Sequence, residues 1–149
     1  MGYIDENLSS LEEIVYLTSL SKIVFIIPLL ISFGLLFFGY LADDPLVRSF
    51  LIILAIIPLV KSWMKYSSSE FGVTNKRVIV KQGFFNTVSL EIQLNRIESI
   101  LVYQNFSEKI LNCGTIILFG TGGTKDAFQR IAYPFEFKRI VENQMDSLS

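Results

Sequence analysis

The residues best suited to binding chemistry form a short basic stretch in the second half of the chain. Lys76 and Arg77 fall at a predicted hairpin turn, and Lys81 follows four residues after Arg77. Three cations this close could bind an anionic lipid headgroup, could be attracted to an anionic membrane surface without a specific site, or could keep a turn soluble. Membrane switches that act through charge use about four to eight clustered cations, so the solubilising role is favoured.

The composition excludes several kinds of active site. The chain has no His and one Cys, so it cannot form a Ser-His-Asp triad, a Cys-His pair, a Cys/His zinc site or an internal disulfide. Cys113 lies between Asn112 and Gly114, which offer no cation to stabilise a thiolate, and it is predicted to be a small buried residue. We therefore expect no catalytic residue, no metal ion and no cofactor.

Two further motifs resemble binding sites but favour a structural role. The glycine run at 120–123 lacks the ending of a phosphate loop and lies between two predicted strands, so it predicts a hairpin turn. Arg96 could contact a ligand, but it is interpreted as a residue that caps backbone carbonyls or pairs with Glu91 or Glu98.

The elements that position these residues divide the 149-residue chain in two, and the first part is apolar enough for a membrane. The chain is 51% hydrophobic and 18% charged, with a mean hydropathy of +0.48. Residues 23–42 carry no charge, and residues 45–60 carry only Arg48. A helix of about 20 residues crosses the hydrocarbon core of a bilayer. The sequence therefore predicts a transmembrane helical hairpin over residues 22–66, with spans at about 23–42 and 46–63.

Basic residues predict the orientation of this hairpin. Lys22 precedes the first span and Lys61 and Lys65 follow the second, whereas the connecting turn offers two aspartates. Both termini are therefore expected to be cytoplasmic, and Lys22, Lys61, Trp63 and Lys65 are expected at the membrane interface. Two prolines within the spans, Pro28 and Pro58, are interpreted as ordinary kinks.

The second part of the chain, residues 67–149, alternates apolar and polar residues, as half-buried strands do. The N-terminal segment 1–21 contains a strand or a short helix at 11–21, and the strand is favoured. Phe106, Ile110 and Leu111 form either an exposed apolar edge or a helical turn packed on the core, and the core is favoured. Strands are predicted at 70–74, 77–82, 88–95, 97–106, 115–119 and 128–133. A helix is predicted from Pro134, with an apolar stripe formed by Phe137, Ile140, Val141, Met145 and Leu148.

The order of several short motifs resembles a known family. These motifs are the run 69–79, the stretch Leu-Asn-Arg-Ile-Glu-Ser-Ile at 94–100, Gly114-Thr115 and the glycine run with Thr124. They resemble the bacterial membrane-anchored PH-like domain family, the YdbS-like proteins. The resemblance implies an α+β membrane protein in which the two-helix hairpin precedes a PH-like bent antiparallel β-sandwich or barrel, capped by the C-terminal helix. It also places Lys76 and Arg77 at the hairpin where eukaryotic PH domains bind phosphoinositides.

These observations favour a binding protein over an enzyme. We expect a non-enzymatic scaffold or adaptor in the bacterial plasma membrane, which binds protein partners and forms a homo-oligomer or joins another membrane protein. Its partners are expected to include the lipid bilayer, and no nucleic acid. Two other functions stay open: sensing of an anionic lipid headgroup by the PH-like domain, and a role as a subunit of an oligomeric channel or transporter.

Overall fold

A computed structural model of the chain describes Ile4 and residues 7–84 and 87–148. The sequence Gly83-Phe84-Phe85-Asn86 predicts a turn. Residues 85 and 86 of this turn, and parts of the N-terminal segment, lie outside the described residues. The strands are β1 (Ile14–Ser19), β2 (Glu70–Thr74), β3 (Arg77–Gln82), β4 (Val88–Gln93), β5 (Ile97–Tyr103), β6 (Cys113–Gly120) and β7 (Thr124–Ala132). The helices are α1 (Ile26–Leu41), α2 (Pro45–Ser67), α3 (Phe106–Ile110) and α4 (Pro134–Asp146), with 3-10 turns at Lys22–Phe25 and Leu94–Arg96.

The strands form two antiparallel sheets that face each other. The first sheet has the order β1-β2-β3-β4 and the second the order β5-β6-β7. Their alternating apolar residues meet between the sheets in one core, which includes Phe71, Ile116 and Phe128. The strand favoured for residues 11–21 is confirmed over Ile14–Ser19, where β1 pairs with β2 in antiparallel register, with Ser19 opposite Glu70. The predicted start of the PH-like domain at residue 67 therefore leaves β1 outside the domain, although β1 lies beside β2 in the same sheet.

The two apolar segments form an antiparallel pair of helices inserted between β1 and β2. Both helical segments, Lys22–Leu41 and Pro45–Ser67, are long and apolar enough to cross a membrane. Pro45 starts α2 after Asp44, whose side chain accepts a hydrogen bond from the Leu46 amide. The buried Ser32 hydroxyl of α1 donates to the Ala55 carbonyl of α2 at 2.7 Å. This contact fixes the two helices against each other at mid-length.

The C-terminal helix α4 covers an open end of the core. Phe137 and Val141 are buried between the sheets, and Ile140 and Met145 pack partly against them. Tyr133 precedes the helix in a left-handed conformation, which turns the chain from β7 into α4. The predicted stripe is wrong at Leu148, which follows the end of the helix and is exposed.

Several predicted boundaries in the second sheet are wrong. The predicted strand 97–106 ends at Tyr103, and the residues from Phe106 form α3. Strand β6 begins at Cys113 and β7 at Thr124, both earlier than predicted. Cys113 is buried, as predicted. The glycine run forms the β6–β7 hairpin turn, where Gly122 and Gly123 have φ of 87° and 79°, values that favour glycine.

Candidate functional site

The three predicted anion-binding cations do not form one cluster. We call the end of the first sheet where the helices join it the helix-proximal end, and the β2–β3 turn the helix-distal end. Lys81 lies opposite Glu70 at the helix-proximal end, whereas Lys76 and Arg77 lie at the helix-distal turn. The four residues from Arg77 to Lys81 span about 13 Å along the extended strand. The structure therefore does not bring the three cations to a single headgroup.

Arg77 holds the N-terminal segment against the first sheet. Its Nε donates to Glu12 Oε1 and its Nη2 donates to Glu12 Oε2, each at 2.8 Å. The two hydrogen bonds form a bidentate ion pair. Its Nη1 donates to Glu91 on β4, and its Nη2 also reaches the Asn7 carbonyl at 3.0 Å. Two carboxylates thus face one guanidinium, and we call Glu12, Arg77 and Glu91 the Arg77 cluster. Glu91, a predicted partner of Arg96, pairs with Arg77 instead.

Glu12 is the buried member of the Arg77 cluster, with a side chain only 1% exposed. The Ser9 amide donates to it at 3.0 Å and the Thr74 hydroxyl at 2.8 Å. Burial opposes ionisation, but the hydrogen bonds from Arg77, Ser9 and Thr74 outweigh it and lower the pKa of Glu12 from 4.5 to about 2. The hydrogen bond to Glu12 in turn raises the pKa of Arg77. Both side chains are therefore charged at neutral pH.

The cluster borders a cavity of about 450 Å³ at the helix-distal end, lined also by Lys76, Asn75 and Gln93. Lys76 is exposed, and its Nζ lies 3.4 Å from the Ser10 carbonyl. Arg77 pairs with Glu12 and Glu91, and Lys76 is the further cation at this cavity, so positive and negative charges are balanced here. The arrangement holds the N-terminal segment in place, and it does not concentrate positive charge.

The predicted membrane-interface residues come together at one end of the helix pair. Lys61, Trp63 and Lys65 lie in the last turns of α2, and Lys22 lies in the 3-10 turn that begins the first helix. All four are exposed. The two helix ends are joined by a ring contact, since the centroids of Phe25 and Tyr66 are 5.5 Å apart. Basic and aromatic side chains therefore surround the point where both helices enter the sheets.

The expectation that α3 packs on the core is wrong. The segment is helical, but Phe106 is 83% exposed and Ile110 is 70% exposed. Leu111, which follows the helix, is 46% exposed. These three residues, which we call the α3 patch, are the alternative apolar edge that the sequence left open.

Sequence reasoning missed the Arg77 cluster for a physical reason. Glu12 and Arg77 are 65 residues apart, and only the pairing of β1 with β2 brings them together. A local signal did exist in the N-terminal segment. The spacing of Ser10 and Glu13 predicts a capping box. The observed bond lies one residue earlier, where the Ser9 amide donates to Glu12, and it closes a turn and starts no helix.

Arg96 lies in the 3-10 turn before β5, and Cys113 begins β6. The backbone carbonyl of Arg96 accepts a hydrogen bond from the Thr121 amide at 2.8 Å, which ties β5 to the β6–β7 hairpin. Burial raises the pKa of the Cys113 thiol, so little thiolate is present at neutral pH. Among the described residues, no three acidic or cysteine side chains meet in a group that could hold a metal ion.

Comparison with known proteins supports the family predicted from the motifs. A family model described as "Bacterial PH domain" matches residues 17–145. The match includes part of β1, both helices, all the later strands and most of α4. No curated protein matches the chain.

Proposed function

The chain belongs to the bacterial PH domain family, and from that premise we propose that it is a membrane-anchored, non-enzymatic scaffold or adaptor. In this proposal α1 and α2 cross the bacterial plasma membrane as a hairpin, with both termini in the cytoplasm. The PH-like domain then binds protein partners and self-associates at the membrane. The positions of Lys22, Lys61 and Lys65 at one end of the helix pair support this orientation, because basic residues favour the cytoplasmic side.

The observation that carries the proposal is the direct connection of both helices to neighbouring strands. The first helix follows β1 and the second precedes β2, and these strands pair at Ser19 and Glu70. The Ser69 hydroxyl donates to the Lys65 carbonyl at 2.7 Å, which closes the junction after α2. Because no flexible linker separates helix from strand, the hairpin would hold the domain in one orientation, as a scaffold requires.

Strand β5 supplies the surface for a partner. Among the described strands it pairs only with β6, so its other edge has backbone groups that no strand satisfies. Leu101 and Tyr103 are exposed on this strand, and its last four residues carry no charge. Natural sheets commonly protect such an edge with charge or a covering segment. An extended segment of a partner, or β5 of a second copy, could add to it.

Photo-crosslinking in native membranes tests the binding role. A photoreactive amino acid at Leu101 of the full chain should form covalent adducts with a protein, and their mass would identify a second copy or another partner. Val15 on β1 is the matched control, since both side chains are apolar and 43% to 49% exposed on strands. A Tyr103→Lys change should remove the Leu101 adducts, because it places a charge on the same edge.

Two results would contradict the proposal. Adducts at Val15 as abundant as those at Leu101, or none at either position, would exclude β5 as the binding edge. A hydrolase or transferase activity that copurifies in stoichiometric amount with the chain, and is lost on one polar substitution, would exclude the non-enzymatic role.

A further inference from the structure

We infer that the helix-proximal end of the PH-like domain rests on the membrane surface, with the α3 patch inserted among the lipid headgroups. The inference rests on the proposed membrane insertion of α1 and α2. The domain itself thus makes a second contact with the membrane, and the lipid bilayer is what covers the α3 patch.

The α3 patch is held in a fixed position. The side chain of Glu108 accepts a hydrogen bond from the Asn105 amide at 2.9 Å and completes a capping box at the start of α3. After the helix, the Asn112 carbonyl accepts from the Tyr133 amide at 2.8 Å and ties the turn to β7. Phe106 and Ile110 are four residues apart, so they lie on one face of this turn. Their exposure is therefore a property of a well-formed turn.

The α3 patch lies beside the entry point of the helices. Leu111 and Asn112 line a cavity of about 550 Å³ whose other walls include Ile23, Ile26 and Tyr66. Ile23 and Ile26 begin the first apolar helix, and Tyr66 is in the last turn of α2. The apolar surface of α3 thus begins next to the apolar surface of the two helices, at the depth where a bilayer would meet water.

Charge at this end suits a bilayer. Lys22, Lys65 and Lys109 are exposed around the helix ends and on α3. An apolar face bordered by lysines is typical of helices that lie in the membrane interface, since the aliphatic and aromatic groups enter the lipid while the cations stay among the headgroups. A soluble partner would not require the patch to lie at this depth.

Two more exposed apolar side chains lie near the same entry point, beside a cavity whose lining also includes Gln82, Gln129 and Arg130. Val88 is exposed at the start of β4, and it lines a cavity of about 380 Å³ together with Gly83, Leu20 and Lys65. Phe84, next to Gly83, is also about half exposed. The helix-proximal end therefore presents apolar groups from α3 and from the start of β4, whereas the helix-distal end carries the Arg77 cluster and the exposed Leu148.

Tryptophan fluorescence in vesicles tests this placement. The chain has a single Trp, at position 63, so a Trp63→Phe background allows one reporter at a time. The full chain is reconstituted into vesicles of phosphatidylethanolamine and phosphatidylglycerol, some carrying brominated acyl chains as quenchers. Phe106→Trp and Ile110→Trp place reporters on the α3 patch. Leu148→Trp is the matched control, because Leu148 is 56% exposed and lines the helix-distal cavity with Lys76.

Reporters at positions 106 and 110 should show blue-shifted emission and at least twofold quenching by the bromolipids, while the reporter at 148 should show neither. Quenching of Trp63 in the wild-type chain, without quenching at 106 and 110, would overturn this inference and leave the proposed anchoring intact. An absence of quenching at Trp63 as well as at positions 106 and 110 would overturn both this inference and the proposed membrane anchoring. Blue-shifted emission at 106 without bromolipid quenching would mean that protein covers the patch, which also overturns the inference.

Discussion

Replacing Glu12 by Gln should loosen β1 from the first sheet. The change removes the negative charge that Arg77 contacts through two hydrogen bonds of 2.8 Å, while the side chain keeps its size. The fall in the pKa of Glu12 from 4.5 to about 2 corresponds to about 3 kcal/mol, at about 1.4 kcal/mol for each tenfold change in proton affinity. Because Gln keeps part of the hydrogen bonding, we expect a loss of about 2 to 3 kcal/mol.

Amide hydrogen exchange measures this loss without unfolding the helices. In detergent or nanodiscs at neutral pH, the amides of Ile14–Ser19 should exchange about 30- to 150-fold faster in the Glu12→Gln variant than in the wild type, since about 1.4 kcal/mol is a factor of ten. Glu13→Gln is the matched control. Glu13 is the next residue and is exposed, so its substitution should change exchange by less than about 0.5 kcal/mol.

The effect should also depend on pH in one direction. A carboxyl group whose pKa is lowered on folding stabilises the fold fully above its unfolded pKa, here 4.5, and loses that contribution as the pH falls through about 2. The difference between wild type and the Glu12→Gln variant should therefore be largest above pH 4.5 and fall to less than half by about pH 3. A difference that stays constant from neutral pH to about pH 3, or a variant that matches Glu13→Gln, would refute the assigned role of the ion pair.

Three further predictions concern the same domain. Arg77→Gln should cost about 3 to 5 kcal/mol in the same exchange assay, more than Glu12→Gln, because it leaves the buried Glu12 carboxylate unpaired. Gly114→Ala should cost about 1 to 3 kcal/mol in chemical unfolding, since a Cβ there would lie 2.8 Å from the Tyr103 carbonyl oxygen. The Cys113 thiol should react with maleimide slowly in the native chain and rapidly after denaturation, since it is buried and burial raises its pKa.

Local patterns were enough to predict most of the fold. The alternation from Val88 onward predicted β4 because one face of that strand packs on the core and the other meets water. Pro134 and the spacing of Phe137 and Val141 predicted α4 for a similar reason. The uncharged run at 23–42 predicted the first helix, because few other elements contain so long an apolar stretch.

Predictions failed where a boundary depended on a polar residue. The apolar run of β5 predicts a strand as far as Phe106, although Asn105 and Glu108 have the spacing of a capping box that starts α3. The start of β7 was missed because Lys125 is exposed at an outward position and adds no apolar alternation. Contacts between distant segments, such as Glu12 with Arg77, have no local pattern that identifies the partner, because only the pairing of β1 with β2 brings them together.

Strand β1 is held at its two ends by different contacts. These contacts explain how the first sheet accommodates the two helices inserted between β1 and β2. At Ser19 the helix pair returns the chain to Glu70, so α1 and α2 take the place of a hairpin turn. At the opposite end, the Arg77 cluster joins the segment before β1 to β3 and β4. An edge strand of six residues has few hydrogen bonds of its own, so each attachment contributes a large share of its stability. Any force on the helices would therefore reach the first sheet through β1 and β2 together. The ion pair of Arg77 with Glu12, at the helix-distal end, would resist the separation of β1 from β2.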